Sequence, residues 1–422
     1  MISIKAIRKD RELIKKGLSL KHDNTNLEKV LNLDTELREL KTKANNMRAE
    51  RNTASESIGE ARKAGLDAHK EIQKTRELGN RLKEIENNLN NVSQKLEDYL
   101  YQIPNLPHKS VPKGIDESDN VVIRLWGDRP EPKLNYKTHL EIGERLQLFD
   151  FQKASKISGS GFPLYKGGGA KLERSLINFM IEHHVDEYGF VELFPPVLMR
   201  KESMRTTGQL PKFEQDMYHT ELDNLYLAPT AEVPITNVHR DEIIDEMNLP
   251  IFYVAYSPCF RRESGSYGKL TRGLLRVHQF NKVELVKFTI PEASYDELEK
   301  LTAQAESVLQ KLGLHYRVVE LCGGDLSFAA SKCYDLEVWA PGEKQWLEVS
   351  SCSNFESFQS RRGNIRYRKK EDGNVDFLHT LNGSGLATSR LMVALIETYQ
   401  TENGVVRFPD DVADCLGIKE LS

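Results

Sequence analysis

Residues 260–280 run Phe260-Arg261-Arg262-Glu263, then a loop from Ser264 to Gly273, then Arg276-Val277-His278-Gln279-Phe280. Both flanks have the apolar and aromatic texture of strand ends, and the loop brings them side by side. One end carries Arg and Glu, the other Arg and Phe, so together they make a cationic pocket with an aromatic plate. A guanidinium can fork onto carboxylate or phosphate. A phenyl ring offers a face to a nucleotide base.

Two further segments flank this one. Upstream, Gly189-Phe190-Val191-Glu192-Leu193-Phe194-Pro195-Pro196-Val197-Leu198 reads as a helix ended by glycine, an extended run and a proline break. Downstream, Gly383-Ser384-Gly385-Leu386-Ala387-Thr388-Ser389-Arg390 reads as a strand of small residues entering the helix that begins Leu391-Met392-Val393. Small residues there would let a ligand approach the backbone, with Arg390 at the helix entry. Around these, β-rich runs at 225–228, 252–256, 280–288 and 346–349 alternate with helix-like segments at 170–188, 295–312 and 385–400. Strands with unevenly spaced helices point to an α+β fold on a largely antiparallel sheet. Gly159-Ser160-Gly161 and Gly167-Gly168-Gly169 lack the Gly-Lys-Ser/Thr of a phosphate loop and read as turns.

The first hundred residues differ in kind. Val30, Leu33, Leu37, Leu40, Ala44 and Met47 are spaced three and four apart, as are Leu78, Leu82, Ile85, Leu89, Val92, Leu96 and Tyr99. This is a coiled-coil seam, twice. Between them, residues 57–65 carry Gly59 and Gly65 and no seam, so the chain is expected to fold back there into an antiparallel helical hairpin. Pro104, Pro107, Pro112, Pro130 and Pro132 then favour an extended connection. The expected organisation is an N-terminal arm over 1–103, a proline-rich linker over 104–135 and a catalytic domain over 136–422.

Composition excludes several classes. Of 422 residues 39% are hydrophobic, enough for a core, yet the longest clean apolar run is only Leu391 to Ile396. A bilayer span needs about 18. The opening Met1-Ile2-Ser3-Ile4-Lys5 has no signal-peptide core. Five scattered cysteines without a C-x-x-C pair argue against a disulfide framework and for a reducing cytosol. The net charge of −4 is uneven: the first hundred residues hold 21 Lys/Arg against 17 Asp/Glu, leaving the remainder acidic. A basic arm on an acidic body is compatible with an arm that meets phosphate, and equally with a solvated helix pair.

Taken in order, the three segments resemble motifs 1, 2 and 3 of class II aminoacyl-tRNA synthetases. Local strings narrow the resemblance to the bacterial-type seryl-tRNA synthetases: Ile103 to Pro112, Thr230-Ala231-Glu232, His278 to Glu284, and Glu348-Val349-Ser350-Ser351-Cys352-Ser353-Asn354. It covers essentially the whole chain. Arg262 stands where the family usually has a small residue, and Ala387 replaces a motif 3 glycine.

The resemblance implies a cytoplasmic homodimer, with Pro196 at the kink of an interface motif. It implies ligation of L-serine to tRNA(Ser), and also to tRNA(Sec), by way of a seryl-adenylate, the arm gripping the long variable arm of the tRNA. Arg261 and Arg390 would be catalytic, Arg261 on the α-phosphate and the serine carboxylate, Arg390 on the γ-phosphate. Phe280 would stack the adenine and Glu263 accept its amino group, with Arg262, Val349 and Ser350 also against ATP. Glu348 and Ser351 would hold Mg²⁺. Thr230, Ala231 and Glu232 would address the serine ammonium, and Glu284 and Ser384 its hydroxyl. The plain alternative for Glu284 is an ion pair with Lys282 or Lys287. His183-His184 could be a metal pair or core, and the basic cluster from Arg361 to Lys370 a tRNA contact or a solvated strand. Two other readings of the whole chain stand beside this one. A ligase that loads a carrier protein would lack the long arm, and a non-catalytic scaffold would have eroded motifs.

Overall fold

The β-rich runs assemble into one eight-stranded sheet. Its strands, in spatial order, are Val121–Trp126, Tyr316–Glu320, Lys332–Ala340, Gln345–Asn354, His379–Ala387, Gln279–Thr289, Ile251–Phe260 and Val191–Leu193. Every neighbouring pair is antiparallel except the last, in which Val191–Leu193 runs parallel to Ile251–Phe260. This computed structural model describes residues 1–130, 135–264 and 272–422, so most of the loop between Ser264 and Gly273, and Pro132, lie outside the described residues.

Helices Gly168–Tyr188, Ser294–Lys311 and Thr388–Thr398 supply the apolar stripes that cover the sheet. Leu172, Leu176 and Met180 recur at helical spacing, as do Leu298, Leu301, Ala305 and Val308, and all are withdrawn from water with Val283, Leu285, Val318 and Leu336 of the strands. Each such side chain contributes roughly 1.5–3 kcal/mol. Gly189 ends the first helix in the left-handed conformation at φ 69°. The proline-rich stretch is more than a connection: Val121–Trp126 forms an edge strand of the sheet. Its β-branched and aromatic residues lie clear of the flanking prolines, so the run can pair. No helix among the described residues is long and apolar enough to cross a membrane.

The chain divides into two compact units, one of residues 2–19 and 23–104, the other of Met1, 20–22 and 105–422. In the first, two short helices precede Leu27–Lys63 and His69–Gln102, which pair over their length. At 37 and 34 residues these span about 55 and 50 Å, longer than the seams alone suggest. The fold-back is also tighter than expected, because the first helix runs straight through Gly59 and ends only at Lys63. Gly65, at φ +74°, closes it: Gly65 N–H donates to Arg62 O at 3.2 Å and Leu66 N–H to Ala61 O at 2.9 Å. This is the Schellman pattern. The second seam departs from the heptad at its end, where Leu100 is 7% exposed and Tyr99 36%. Five turns at about 3.6 residues carry the buried face from Leu82 to Leu100, one position past the strict repeat.

One buried ion pair ties helix to sheet. Lys287, fully buried on strand Gln279–Thr289, places Nζ 2.9 Å from Glu297 Oε2 and 4.5 Å from the Phe252 ring centre. Burial pushes the ammonium's pKa down, while Glu297 holds it up. Removing the carboxylate strands a charge in the core. Glu297→Ala should therefore cost about 3 kcal/mol, read as a lower urea midpoint at unchanged slope. An unchanged midpoint would show that the pair contributes nothing net.

Candidate active site

Strand alternation sends every second side chain to one face of a sheet. Glu284 and Lys282 share a face of Gln279–Thr289, as Ser384 and Asn382 do on the adjoining His379–Ala387, and Ser384 lies directly opposite Glu284. Lys282, Asn382 and Ser384 line a cleft of about 590 Å³ together with Thr230, Glu232, Arg261, Glu263, Arg276, Glu348 and Ser351. Residues distant in sequence thus meet at one place.

Glu284 is fully buried, behind the residues that line the cleft and not among them. It accepts from Thr230 Oγ1 at 2.8 Å and from Asn382 Nδ2 at 3.0 Å, and pairs with Lys282. The ion pair with Lys282 is thus present, and Glu284 meets the cleft through Lys282, Thr230 and Asn382, which line it. Thr230 Oγ1 also accepts the Glu232 backbone N–H at 3.1 Å, so one hydroxyl joins the Glu284 carboxylate to the main chain at Glu232. Burial, then the nearby Glu284, raise the Glu232 pKa to about 7, opposed by Gln359, Lys282 and Arg261. Ala231 is withdrawn into an apolar cluster and offers the cleft no side chain.

The cationic half comes from the ends of the strands. Arg261 Nε donates to Pro229 O at 3.3 Å, and its guanidinium lies 5.2 Å from the centre of the half-buried Phe280 ring. Glu263, held at φ 53°, pairs with Arg276 across the loop. Arg390 donates from Nε to Leu275 O at 3.1 Å and from Nη1 to Glu348 O at 2.9 Å. Arg262 turns elsewhere, its guanidinium 5.4 Å from the Tyr218 ring.

Glu348 and Ser351 are three apart, which in a regular strand puts them on opposite faces. Here Ser350 pairs with Leu336 and Glu348 with Glu337, leaving Val349 as the extra residue of a bulge. The bulge returns both side chains to the cleft. Val349 itself is buried in the core, and the Ser350 hydroxyl donates to Ser384 O at 2.6 Å, so neither side chain faces the cleft. Asp335, opposite Ser351, has its carboxyl pushed well above the usual range by burial and by Glu348. The hard oxygen donors of Glu348 and Ser351 suit a magnesium ion.

The motif glycines do a different task from the one expected. A Cβ on Gly383 would meet Cys352 Sγ at 3.0 Å and Leu301 at 3.1 Å, and one on Gly385 would meet His184 at 3.0 Å. They make room for the core, and a second bulge falls at Gly385 between Ser384 and Leu386. His184 is a core residue, its pKa pushed down to about 3 by burial, and His183 Nε2 lies 2.7 Å from Ser307 Oγ. In the basic cluster, Arg361 and Arg362 each lie 4.4 Å from a phenyl ring centre, and Lys369 is 3.6 Å from Asp376.

Several residues of the site were not singled out from sequence. Lys282 entered only as a possible ion-pair partner of Glu284, and Asn382 not at all; they stand two positions from Glu284 and Ser384, so strand period alone could have placed both in the cleft. Gln359 and Asp335 had no such signal. His139, Glu343 and Glu397 form a buried cluster with metal-like composition. Its ring Nε2 accepts the Leu274 N–H at 3.2 Å, so Nδ1 carries the proton and faces Glu343 at 3.0 Å. The cluster is an anchor for the chain leaving the loop, one residue before the carbonyl that holds Arg390.

Comparison with known proteins agrees with this architecture. A model of the seryl-tRNA synthetase N-terminal domain matches residues 1–107, and one of the class II tRNA synthetase core domain (G, H, P, S and T) matches 212–399. A serine–tRNA ligase of Carboxydothermus hydrogenoformans is 49% identical over 421 residues, covering 100% of this chain and 99% of that one. That of Caldicellulosiruptor saccharolyticus is 51% identical over 417 residues, covering 99% of each. Among solved structures, seryl-tRNA synthetase from Pyrococcus horikoshii complexed with ATP superposes with a TM-score of 0.91 at 38% identity, covering 100% of this chain and 99% of that chain. With its two-part organisation and motif cleft matched end to end, the chain belongs to the seryl-tRNA synthetase family, with a class II core.

Proposed function

We propose that the chain ligates L-serine to tRNA(Ser), and also to tRNA(Sec), through a seryl-adenylate. The observation that carries this is Glu232 and Arg261 lining one cleft, with the fully buried Glu284 accepting from two other cleft residues, Thr230 and Asn382. Glu232, when ionised, offers a counter-charge to the substrate ammonium, and the fully buried Glu284 offers an acceptor to a small hydroxyl. Rejection of alanine then follows from polarity, and rejection of threonine from lack of room.

The serine carboxylate attacks the α-phosphate of ATP, forming the acyl–phosphate bond and releasing pyrophosphate. A terminal ribose hydroxyl of tRNA then attacks the acyl carbon and AMP leaves. The first step brings two anions together, and Arg261 aligns them and offsets their charge. No general base is needed there, because the carboxylate is already ionised. Arg390 takes the γ-phosphate, Phe280 the adenine face and Glu263 the adenine amino group. Glu348 and Ser351 would hold Mg²⁺, which supplies charge neutralisation to the phosphates. The assembly is a cytoplasmic homodimer. Its supporting feature is the exposed apolar surface around Pro196, where Val191 is 56%, Phe194 83% and Leu198 47% accessible. The proposed division of labour assigns tRNA to the arm before residue 104 and chemistry to the body after residue 135.

Three outcomes test this. Pyrophosphate exchange should require L-serine and Mg-ATP, and Arg261→Ala should abolish it; more than a tenth of wild-type activity would remove Arg261 from its role. Glu284→Ala should raise KM for serine by an amount worth about 1.5–3 kcal/mol and relax discrimination against alanine. An unchanged serine/alanine ratio would take Glu284 out of recognition. Replacing residues 28–98 by a short Gly/Ser link should leave exchange within about threefold, ~0.7 kcal/mol, while tRNA charging falls by orders of magnitude. Charging that survives the replacement would give the arm another partner.

A further inference from the structure

We propose that Gln359 is a positioning residue for serine, its amide holding the Glu232 carboxylate ionised and in the orientation that receives the substrate ammonium. The proposal rests on the serine-ligase reading, which gives Glu232 an ammonium to receive.

Gln359 is the second residue of helix Phe358–Gly363 and is fully buried. Its Nε2 donates to Glu232 Oε1 at 2.6 Å and to Thr207 O at 3.3 Å, and its Oε1 accepts from Thr380 Oγ1 at 2.8 Å. The contact with Thr207 settles which way the amide faces. A backbone carbonyl only accepts, so turning the amide over would set its oxygen against Thr207 O and against the carboxylate together. The donor end therefore stays on Glu232, and Thr380, itself fully buried, holds the other end. Thr380 sits on strand His379–Ala387, two and four residues before Asn382 and Ser384 of the cleft.

A fixed donor favours the charged carboxylate. The other groups facing Glu232 divide by sign. Glu284 opposes ionisation, and Lys282 from the same strand and Arg261 from the end of Ile251–Phe260 favour it. Gln359 adds no charge to the pocket, so it assists ionisation without competing for the serine carboxylate as a further cation would. A nearby carboxylate that is protonated offers the ammonium no counter-charge. Loss of the Gln359 donor should raise the Glu232 pKa, and the acidic limb of kcat/KM for serine should move to higher pH.

The test is serine-dependent pyrophosphate exchange on full-length protein, measured from about pH 6 to about pH 9. Wild type should lose kcat/KM for serine as pH falls below about 7. Gln359→Met should raise KM for serine about tenfold, leave KM for ATP within about twofold and shift the limb upward. Thr380→Val, which loosens the amide without touching Glu232, should move both quantities the same way by less, and it carries the test if Gln359→Met does not fold. Unchanged KM for serine with an unmoved limb would overturn the proposal, as would equal rises in KM for serine and ATP. Wild-type protein without serine-dependent exchange would instead overturn the substrate reading beneath it.

Discussion

A carboxylate removed from water must be compensated where it stands, and Glu284 is fully buried at the heart of the sheet. Its requirement organises the surroundings. Lys282 supplies the charge, Thr230 and Asn382 supply donors, and these come from two residues earlier on the same strand, the segment before helix Glu232–Thr236, and the adjoining strand. Those three elements must hold their register for the carboxylate to remain satisfied. Glu232 extends the arrangement outward, since Thr230 also accepts its backbone N–H and Gln359 brings helix Phe358–Gly363 to its carboxylate. One set of hydrogen bonds thus joins two strands and two helices at the cleft.

How legible this was depends on which periodicity governed each part. The α+β class, the long helices and the principal strands follow from patterns that the backbone obeys, and Lys282 and Asn382 could be read from the same alternation. The paired placement of Glu348 with Ser351 follows no period, because it depends on one extra residue at Val349. Only the motif resemblance pointed to it. The glycines of the third motif looked ligand-facing because they are small, but whether a missing side chain makes room for ligand or for Leu301 and His184 depends on the opposite face of the sheet. That is tertiary information. Gln359 was invisible for the same reason: a helical glutamine is ordinary until its three partners are known.

The hairpin shows the other limit. Heptad spacing identified both helices, yet the buried face drifts from Tyr99 to Leu100 because an α-helix has no obligation to a 3.5 repeat. Gly59 looked like a breaker, but an isolated glycine costs a helix only about 1 kcal/mol. A helix of 37 residues paired along its length absorbs that cost. Gly65 ends the helix because its positive φ lets two orphan carbonyls find donors, which Gly59, inside the regular turns, has no cause to do.

Charge distribution gives the cleft its remaining logic. The body carries the acidic balance of the chain, so a polyanionic substrate meets a field of the wrong sign until it reaches local cations. Those cations are arginines anchored on backbone carbonyls: Arg261 on Pro229 O, Arg390 on Leu275 O and Glu348 O. A guanidinium has five N–H donors, so anchoring by one or two leaves most of the fork for an anion while removing much of its rotational freedom. A carbonyl anchor also leaves the positive charge intact, where a carboxylate partner would cancel it. Glu263 takes Arg276 in such a pair, and Glu348 reaches Arg390 only at 3.4 Å. Pairing some cations and anchoring others on carbonyls leaves the charge of Arg261 and Arg390 available to an anion.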